Sequence, residues 1–180
     1  MLGMVFTELL EMVEQTFSFE TADAVIARAG ARGAWTSVGD YPDAELTALV
    51  SALSVETNIP EDTLLHTYGR HLFGRFVAGF PSFFADHPDA MSFLAGLESC
   101  VHTEVRKLYA GARPPLFVLG DGPAGARILD YHSPRAMWRF AQGLLEGCLE
   151  HFGHNVAGLG VEDLSGGAGT HVRFTIPVVA

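Results

Sequence analysis

Apolar residues recur at intervals of three and four along the first two-thirds of the chain, which is the spacing of amphipathic helices. In the first predicted helix these residues are Val5, Leu9, Met12, Val13 and Phe17. Proline followed by acidic residues suits the free amides of a helix start, so a second helix is predicted to open at Pro42 and a third at Pro60. A fourth helix is predicted from about Ala90 to Tyr109.

The last third of the chain changes to short apolar runs separated by turn residues, a pattern typical of β-strands. Runs at 116–119 and 128–131 flank a Gly- and Pro-containing turn, which predicts a hairpin. A run near 155–161 and an alternating run at 172–178 predict a second hairpin across a glycine-rich loop. The core-facing residues of the last strand are Val172, Phe174, Ile176 and Val178.

Between the two hairpins, a helix is predicted from Pro134 to about Phe152. A run of helices followed by strand pairs predicts the α+β class, with an N-terminal helical layer packed against a C-terminal antiparallel sheet of about four strands. The 180 residues are expected to form one domain, residues 1–180.

The composition excludes several classes of function. A hydrophobic content of 48% with 13 phenylalanines implies a large core, or a core that also encloses an apolar ligand. A nucleic-acid partner is not expected, because the net charge is −10 and phosphate binding needs positive charge. The chain shows neither a signal peptide nor a window of about 18 apolar residues, so no membrane insertion is expected. Two cysteines without a CxxC motif predict no disulfide framework, and we expect a cytoplasmic protein.

His102 lies near the end of the fourth predicted helix, on the edge of an apolar stripe formed by Leu94, Val101 and Val105. From there an imidazole can reach into a pocket, although such a histidine, taken alone, is more often a structural residue bonded to a carbonyl. The other histidines form no HExxH motif or spaced ligand set, so a multi-histidine zinc site is not expected. A metal held by one protein nitrogen needs its other ligands from a cofactor, and a porphyrin supplies four.

Tyr131, Ser133 and Arg135 form a second group of interest. Ser133 suits the N-cap and Pro134 the first position of the predicted helix, so Arg135 is expected in its first turn. The helix dipole disfavours a cation there, which suggests a bound anion. A phenol, a hydroxyl, a guanidinium and free amides suit carboxylates. The alternative, that Ser133 only caps, Tyr131 only packs and Arg135 is solvated, stays open.

The segments 101–105, 111–115 and above all 131–135 (Tyr-His-Ser-Pro-Arg) resemble the heme-nitric oxide/oxygen binding (H-NOX) family, which includes the sensor domain of soluble guanylate cyclases. The resemblance covers essentially the whole chain. It implies a heme b buried between the helical layer and the sheet, with His102 as the proximal iron ligand and with the propionates bound by Tyr131, Ser133 and Arg135. It also implies a heme pocket formed by Val5, Leu9, Leu72, Phe76, Pro115, Phe117, Phe140 and Leu144.

In this resemblance, Pro115 presses on the porphyrin, and two consecutive prolines make a rigid contact. Phe140 decides which gas binds, because family members that hold oxygen stably have a tyrosine there. Its hydroxyl donates to bound dioxygen, and a hydrogen bond to a charged acceptor contributes about 1–3 kcal/mol. Phe140 and its neighbours Leu9, Leu72 and Leu144 offer no such donor. The expectation is a ferrous, five-coordinate heme that binds NO and CO without a stable oxygen complex.

The resemblance also implies a sensor that is not itself an enzyme and that signals to a separate protein, either a histidine kinase or a cyclic-dinucleotide enzyme. NO is expected to weaken the bond between iron and His102, which frees the helix and lets the heme relax against Pro115. Some stand-alone relatives hold zinc with cysteines near the final hairpin. Residues 164–172 of this chain contain no cysteine, so no zinc is expected.

Two other functions stay open at this point. A heme peroxidase or oxygenase would need a distal acid or base to split the O–O bond, and the expected distal positions are all apolar. A module that binds another hydrophobic ligand without iron would show no Soret band after purification.

Overall fold

The computed structural model describes residues 1–109 and 111–177, except for the side chain of Leu108. Val178, assigned above to the last strand, lies outside the described residues. The helical part comprises α1 (Met4–Thr16), α2 (Phe19–Ala29), α3 (Asp43–Thr57), α4 (Glu61–Gly79), α5 (Ser82–Ala85), α6 (Ala90–Gly96), a π-helical segment (Leu97–His102) and α7 (Thr103–Leu108). The remaining elements are β1 (Leu116–Asp121), a 3-10 turn (Pro123–Gly125), β2 (Arg127–His132), α8 (Trp138–His151), β3 (Gly160–Asp163) and β4 (His171–Ile176). The predicted α+β class is confirmed.

The sheet has the order β1-β2-β4-β3, and every neighbouring pair of its strands is antiparallel. Strand β2 lies inside the sheet, with Tyr131 opposite Phe117 of β1 and Val172 of β4. Side chains of a strand alternate between the two faces of its sheet. Leu129 and Tyr131 are therefore buried against the helices. The opposite face of the sheet is more polar and includes Asp130, His132 and His171.

Three of the predicted helices form where the sequence places them. Helix α1 buries the predicted residues Leu9, Met12 and Val13, whereas the predicted Phe17 lies past its end and is exposed. Helices α3 and α4 begin directly after Pro42 and Pro60. Helix α2 was not predicted. Its start nevertheless has a sequence signal, the N-cap residue Ser18. The hydroxyl of Ser18 accepts a hydrogen bond from the amide of Thr21 at 3.1 Å. Its end is marked by Gly30 in the left-handed conformation.

The predicted fourth helix is not a uniform α-helix. Its middle, Leu97–His102, is a π-helix between α6 and α7. The hydroxyl of Thr103 donates to the carbonyl of Glu98, five residues earlier, at 2.9 Å. A π-helix holds one more residue per hydrogen-bonded turn than an α-helix, and such segments often occur at functional sites. This segment ends on His102.

Helices α4 and α8 cross in direct backbone contact through two glycines. A Cβ added to Gly69 would lie 3.0 Å from the Cα of Gly143 and would collide with the carbonyl oxygen of Phe140. A Cβ added to Gly143 would collide with the carbonyl oxygen of His66. Two buried clusters meet at this crossing: one lies among α1 to α4, and the other lies between α4, α6, α8 and the sheet.

Candidate functional site

A cavity of about 320 Å³ lies between the helices and the sheet. One wall consists of residues from α1, α4 and α8, namely Met4, Val5, Leu72, Phe73, Phe76, Phe140, Ala141, Leu144, Leu145 and Cys148. The opposite wall includes Val101, His102, Val105, Pro114, Pro115 and Phe117. This volume and this apolar lining are typical of a cofactor or small-molecule site.

His102 is the last residue of the π-helical segment, and it lines the cavity. Its side chain is only 12% exposed. Nδ1 lies 2.7 Å from Oε1 of Glu98, so this nitrogen donates to the carboxylate and Nε2 is left for another partner. Burial lowers the pKa of His102, and the charge of Glu98 opposes that effect.

Glu98 holds the imidazole in place and is itself held by two further donors. Its carboxylate accepts from the backbone amide of Phe117 at 3.0 Å and from Arg106 at 3.2 Å. Burial raises the pKa of Glu98, but the Phe117 amide and the His102 contact outweigh burial and leave the pKa lowered. A carboxylate behind a histidine is the arrangement that orients histidines toward metals and makes them more basic. Glu98 was not among the residues predicted from the sequence, although its position four residues before His102 indicates this contact.

Arg135 is the member of the predicted anion group that lines the cavity. Its side chain is 18% exposed. Nη2 donates to the carbonyl oxygen of Arg113 at 2.5 Å, and Nη1 lies 3.5 Å from a carboxylate oxygen of Asp43. A guanidinium has five N–H donors, so it can hold these partners and still bind a carboxylate at the rim.

Tyr131 and Ser133 lie behind Arg135 and are not among the described residues that line the cavity. The hydroxyl of Tyr131 accepts from the amide of Met137 at 3.1 Å, and burial raises the pKa of this phenol. The hydroxyl of Ser133 accepts from the amide of Arg135 at 3.3 Å. Both hydroxyls thus stabilise the turn that carries Arg135.

The predicted start of the helix after this turn is wrong. Helix α8 begins at Trp138 instead of Pro134, because Ala136 has a positive φ of 53° that an α-helix cannot contain. Ser133 therefore caps a turn, and Arg135 lies before the helix instead of in its first turn. The dipole of α8 therefore gives no reason to expect an anion at Arg135, whose guanidinium reaches the cavity from the turn itself.

All but one of the other predicted pocket residues line the cavity. Seven of them line the cavity: Val5, Leu72, Phe76, Pro115, Phe117, Phe140 and Leu144. Leu9 does not, since it is buried in the core among α1 to α4. Within the wall from α1, α4 and α8, the thiol of Cys148 is the one polar side-chain group among the described lining residues. Burial raises the pKa of that thiol to about 12, so it stays protonated.

A family model described as Haem-NO-binding matches residues 2–158 of the chain. The chain belongs to this family, the H-NOX family. The family binds heme, and its domains are gas sensors rather than enzymes. A search of curated proteins gives no match.

Solved H-NOX structures agree with this assignment. The Fe(II) unliganded H-NOX protein from K. algicida is 36% identical, covers 98% of this chain and 95% of its own, and superposes with a TM-score of 0.89. The H-NOX from Shewanella woodyi, in an Fe(II)CO state bound to IWP-051, is 34% identical over 98% of this chain and 93% of its own, with a TM-score of 0.81. The S. oneidensis H-NOX in the Fe(II)NO state shares the fold at 23% identity, with full coverage of both chains and a TM-score of 0.87.

The residues present fit the family's cofactor. A heme needs flat apolar walls, one axial nitrogen and cations for its carboxylates. The H-NOX cavity of this chain supplies apolar walls, the Nε2 side of a buried histidine and the guanidinium of Arg135. The described helices contain none that is both long and apolar enough to cross a membrane.

Proposed function

We propose that residues 1–180 form a single cytoplasmic sensor domain that binds NO and CO at a ferrous heme b, forms no stable O2 complex, and signals to a separate protein. In this proposal His102 is the axial ligand and Arg135 binds a propionate, while Tyr131 and Ser133 hold the turn of Arg135. The free cysteines Cys100 and Cys148 agree with a reducing compartment.

The wall opposite His102 supports the gas selectivity. Bound O2 carries partial negative charge and gains from a donor, whereas NO and CO depend on one less. The described lining residues from α1, α4 and α8 include aliphatic side chains, phenylalanines and one protonated thiol, with no hydroxyl, amide or imidazole. The lack of a hydroxyl, amide or imidazole among the described residues of this wall is the observation that carries the proposal. It also argues against a heme enzyme, because splitting an O–O bond needs an acid or base at that wall.

The residues around His102 support a route for the signal. The heme supplies the iron to which a gas binds, and the chain supplies the parts that respond. His102 joins the cavity to the helical segment 97–108, and Pro114 and Pro115 line the cavity next to it. Glu98 ties this segment to β1 through the Phe117 amide. A change in the position of His102 therefore reaches both the helix surface and the sheet, where a histidine kinase or a cyclic-dinucleotide enzyme would detect it.

Absorption spectroscopy tests the proposal. The purified ferrous protein should show a Soret band of a five-coordinate heme that shifts with NO and CO and does not change in air-saturated buffer before slow oxidation. NO should give five-coordinate species, alone or mixed with six-coordinate species. A stable oxygen complex would contradict the proposed selectivity.

Two controls separate the alternatives. His102→Ala should lose the axial ligand and change the Soret band, whereas His154→Ala, a histidine outside the described cavity lining, should leave the band unchanged. Peroxidase turnover well above that of free hemin would favour the hypothesis of a heme peroxidase or oxygenase. A protein without heme after expression with ample heme, unaffected by His102→Ala, would favour another apolar ligand.

A further inference from the structure

The outward face of the sheet carries a cluster of potential metal ligands that the sensing function does not use. His132 on β2 lies directly opposite His171 on β4, and their rings stack with centroids 4.0 Å apart. Asp130, two residues before His132, points to the same face. One ligand atom from each of Asp130, His132 and His171 lies within 4.8 Å of the other two. We propose that these three side chains bind a divalent first-row transition ion of the zinc type.

The chemistry of the three ligands suits Zn²⁺. Zinc binds imidazole nitrogen and carboxylate oxygen at about 2.0–2.2 Å and accepts water as a fourth ligand. Ligand atoms already within 4.8 Å of one another need only small side-chain rotations to reach that geometry. The two histidines come from paired strands, so the backbone hydrogen bonds of β2 and β4 fix their separation.

One ring nitrogen of His171 is available to bind a metal ion in this cluster. Its Nε2 is buried and has no hydrogen-bond partner among the described residues. The nearest carboxylate oxygen, Oδ2 of Asp130, is 3.9 Å away, which is too far for a hydrogen bond. A buried ring nitrogen without a partner is costly, and a metal ion bridging this gap would satisfy it.

Arg173 orients the carboxylate of Asp130 without using up its lone pairs. Nε donates to Oδ1 and Nη2 to Oδ2, both at 2.8 Å. An ionised carboxylate has about four acceptor positions, so either oxygen can also contact a metal. Glu162 on β3 is the register partner of Arg173 and offsets its positive charge. Hydrogen-bonded carboxylates of this kind are common behind metal sites.

Two expectations from the sequence argued against zinc: residues 164–172 contain no cysteine, and the histidines form no HExxH motif or spaced ligand set. The second expectation depended on spacing along the chain, whereas strand pairing brings His132 and His171 together from distant positions. The proposed site therefore departs from that expectation. The cluster also lies on the face of the sheet away from the cavity, because Tyr131 and His132 point to opposite faces. Occupancy by Zn²⁺ is therefore independent of heme binding.

A zinc titration of the metal-stripped, full-length protein tests the proposal, with a chromophoric chelator as competitor. The wild type should bind one Zn²⁺ per chain with an unchanged Soret band. His132→Gln and His171→Gln should each weaken binding by at least about tenfold, and His154→Gln should bind as the wild type does. Equal affinity in all four proteins, or no binding by the wild type, would overturn the site.

X-ray absorption of the zinc-loaded wild type gives a test that needs no variant. The expected first shell has two imidazole nitrogens and additional oxygens. Sulfur in that shell would place the ion at Cys100 or Cys148 and would refute the proposal.

Discussion

The ring of Tyr68 stacks on the ring of Phe140 with centroids 5.2 Å apart, and its hydroxyl donates to the carbonyl of Val5 at 2.5 Å. Tyr68 is fully buried and does not line the cavity. The ring of Tyr68 therefore fixes the position of Phe140, while the hydroxyl of Tyr68 is bonded to the Val5 carbonyl. This hydroxyl is thus bonded to the backbone and does not face the cavity.

Phe140→Tyr should create the missing donor. A hydrogen bond to a charged acceptor contributes about 1–3 kcal/mol, so oxygen affinity should rise roughly fivefold to hundredfold. Oxygen binding to the ferrous protein, followed by the Soret band, measures this change. Phe117→Tyr places a hydroxyl on the His102 side of the cavity and should give no gain. Equal oxygen binding in both variants would show that Phe140 does not face the gas.

Glu98→Gln should weaken the bond between His102 and iron. The amide keeps the size of the side chain but removes the charge that makes the imidazole a stronger ligand. We expect a lower iron–histidine stretching frequency in the resonance Raman spectrum and a larger five-coordinate fraction with NO. Glu104→Gln, in the adjoining helix α7 and in a surface pair with Lys107, is the matched control. An unchanged frequency in Glu98→Gln would remove Glu98 from this role.

Gly69→Ala should destabilise the fold. The added methyl group meets backbone atoms of α8, which cannot rotate away, and such overpacking costs about 1–3 kcal/mol. A loss of about 2–4 °C in melting temperature is expected for each kcal/mol. Gly74→Ala is a control in the same helix, because nothing lies within 4 Å of its added Cβ. That variant should be as stable as the wild type or more so, and a Gly69→Ala protein of the same stability would argue against the close crossing.

The two cysteines should differ in their reaction with iodoacetamide at pH 8. The thiolate is the reactive form, and burial raises the pKa of Cys148 from about 9 to about 12, so that thiol stays protonated at pH 8. Cys100 is exposed. Mass spectrometry of the native protein should find the label on Cys100 alone, and unfolding in urea should expose both sites. Rapid labelling of Cys148 in the native state would mean that the cavity opens readily.

Local signals in the sequence located much of the fold. Prolines followed by acids placed the starts of α3 and α4, short apolar runs placed β1 and β2, and alternating apolar residues placed β4. The third strand was predicted too early, near 155–161, whereas β3 spans Gly160–Asp163. The start of α8 was missed because a positive φ at Ala136 is imposed by the surrounding turn, and alanine carries no sign of it. The π-helix at Leu97–His102 was also missed, because its apolar residues follow the spacing expected of an α-helix.

The candidate site was predictable to the extent that its residues share a motif. His102 and Arg135 were both chosen from the sequence, and the structure brings them to one cavity. The roles of Tyr131 and Ser133 as supports of a turn depend on hydrogen bonds between backbone and side chain, which a motif does not show. The pairing of His132 with His171 depends on strand register across 39 residues, and neither residue stood out in the sequence.

The glycine crossing of α4 and α8 has a mechanical consequence. Where two backbones touch, no side chain between them can change rotamer to absorb strain, so the wall with Leu72 and Phe140 acts as a fixed support. Expansion of the cavity is then expected to displace the other side, which includes the segment 97–108 and the two prolines. In the proposed sensor, we expect movement on gas binding to be directed away from Gly69 and Gly143, two residues that lack side chains.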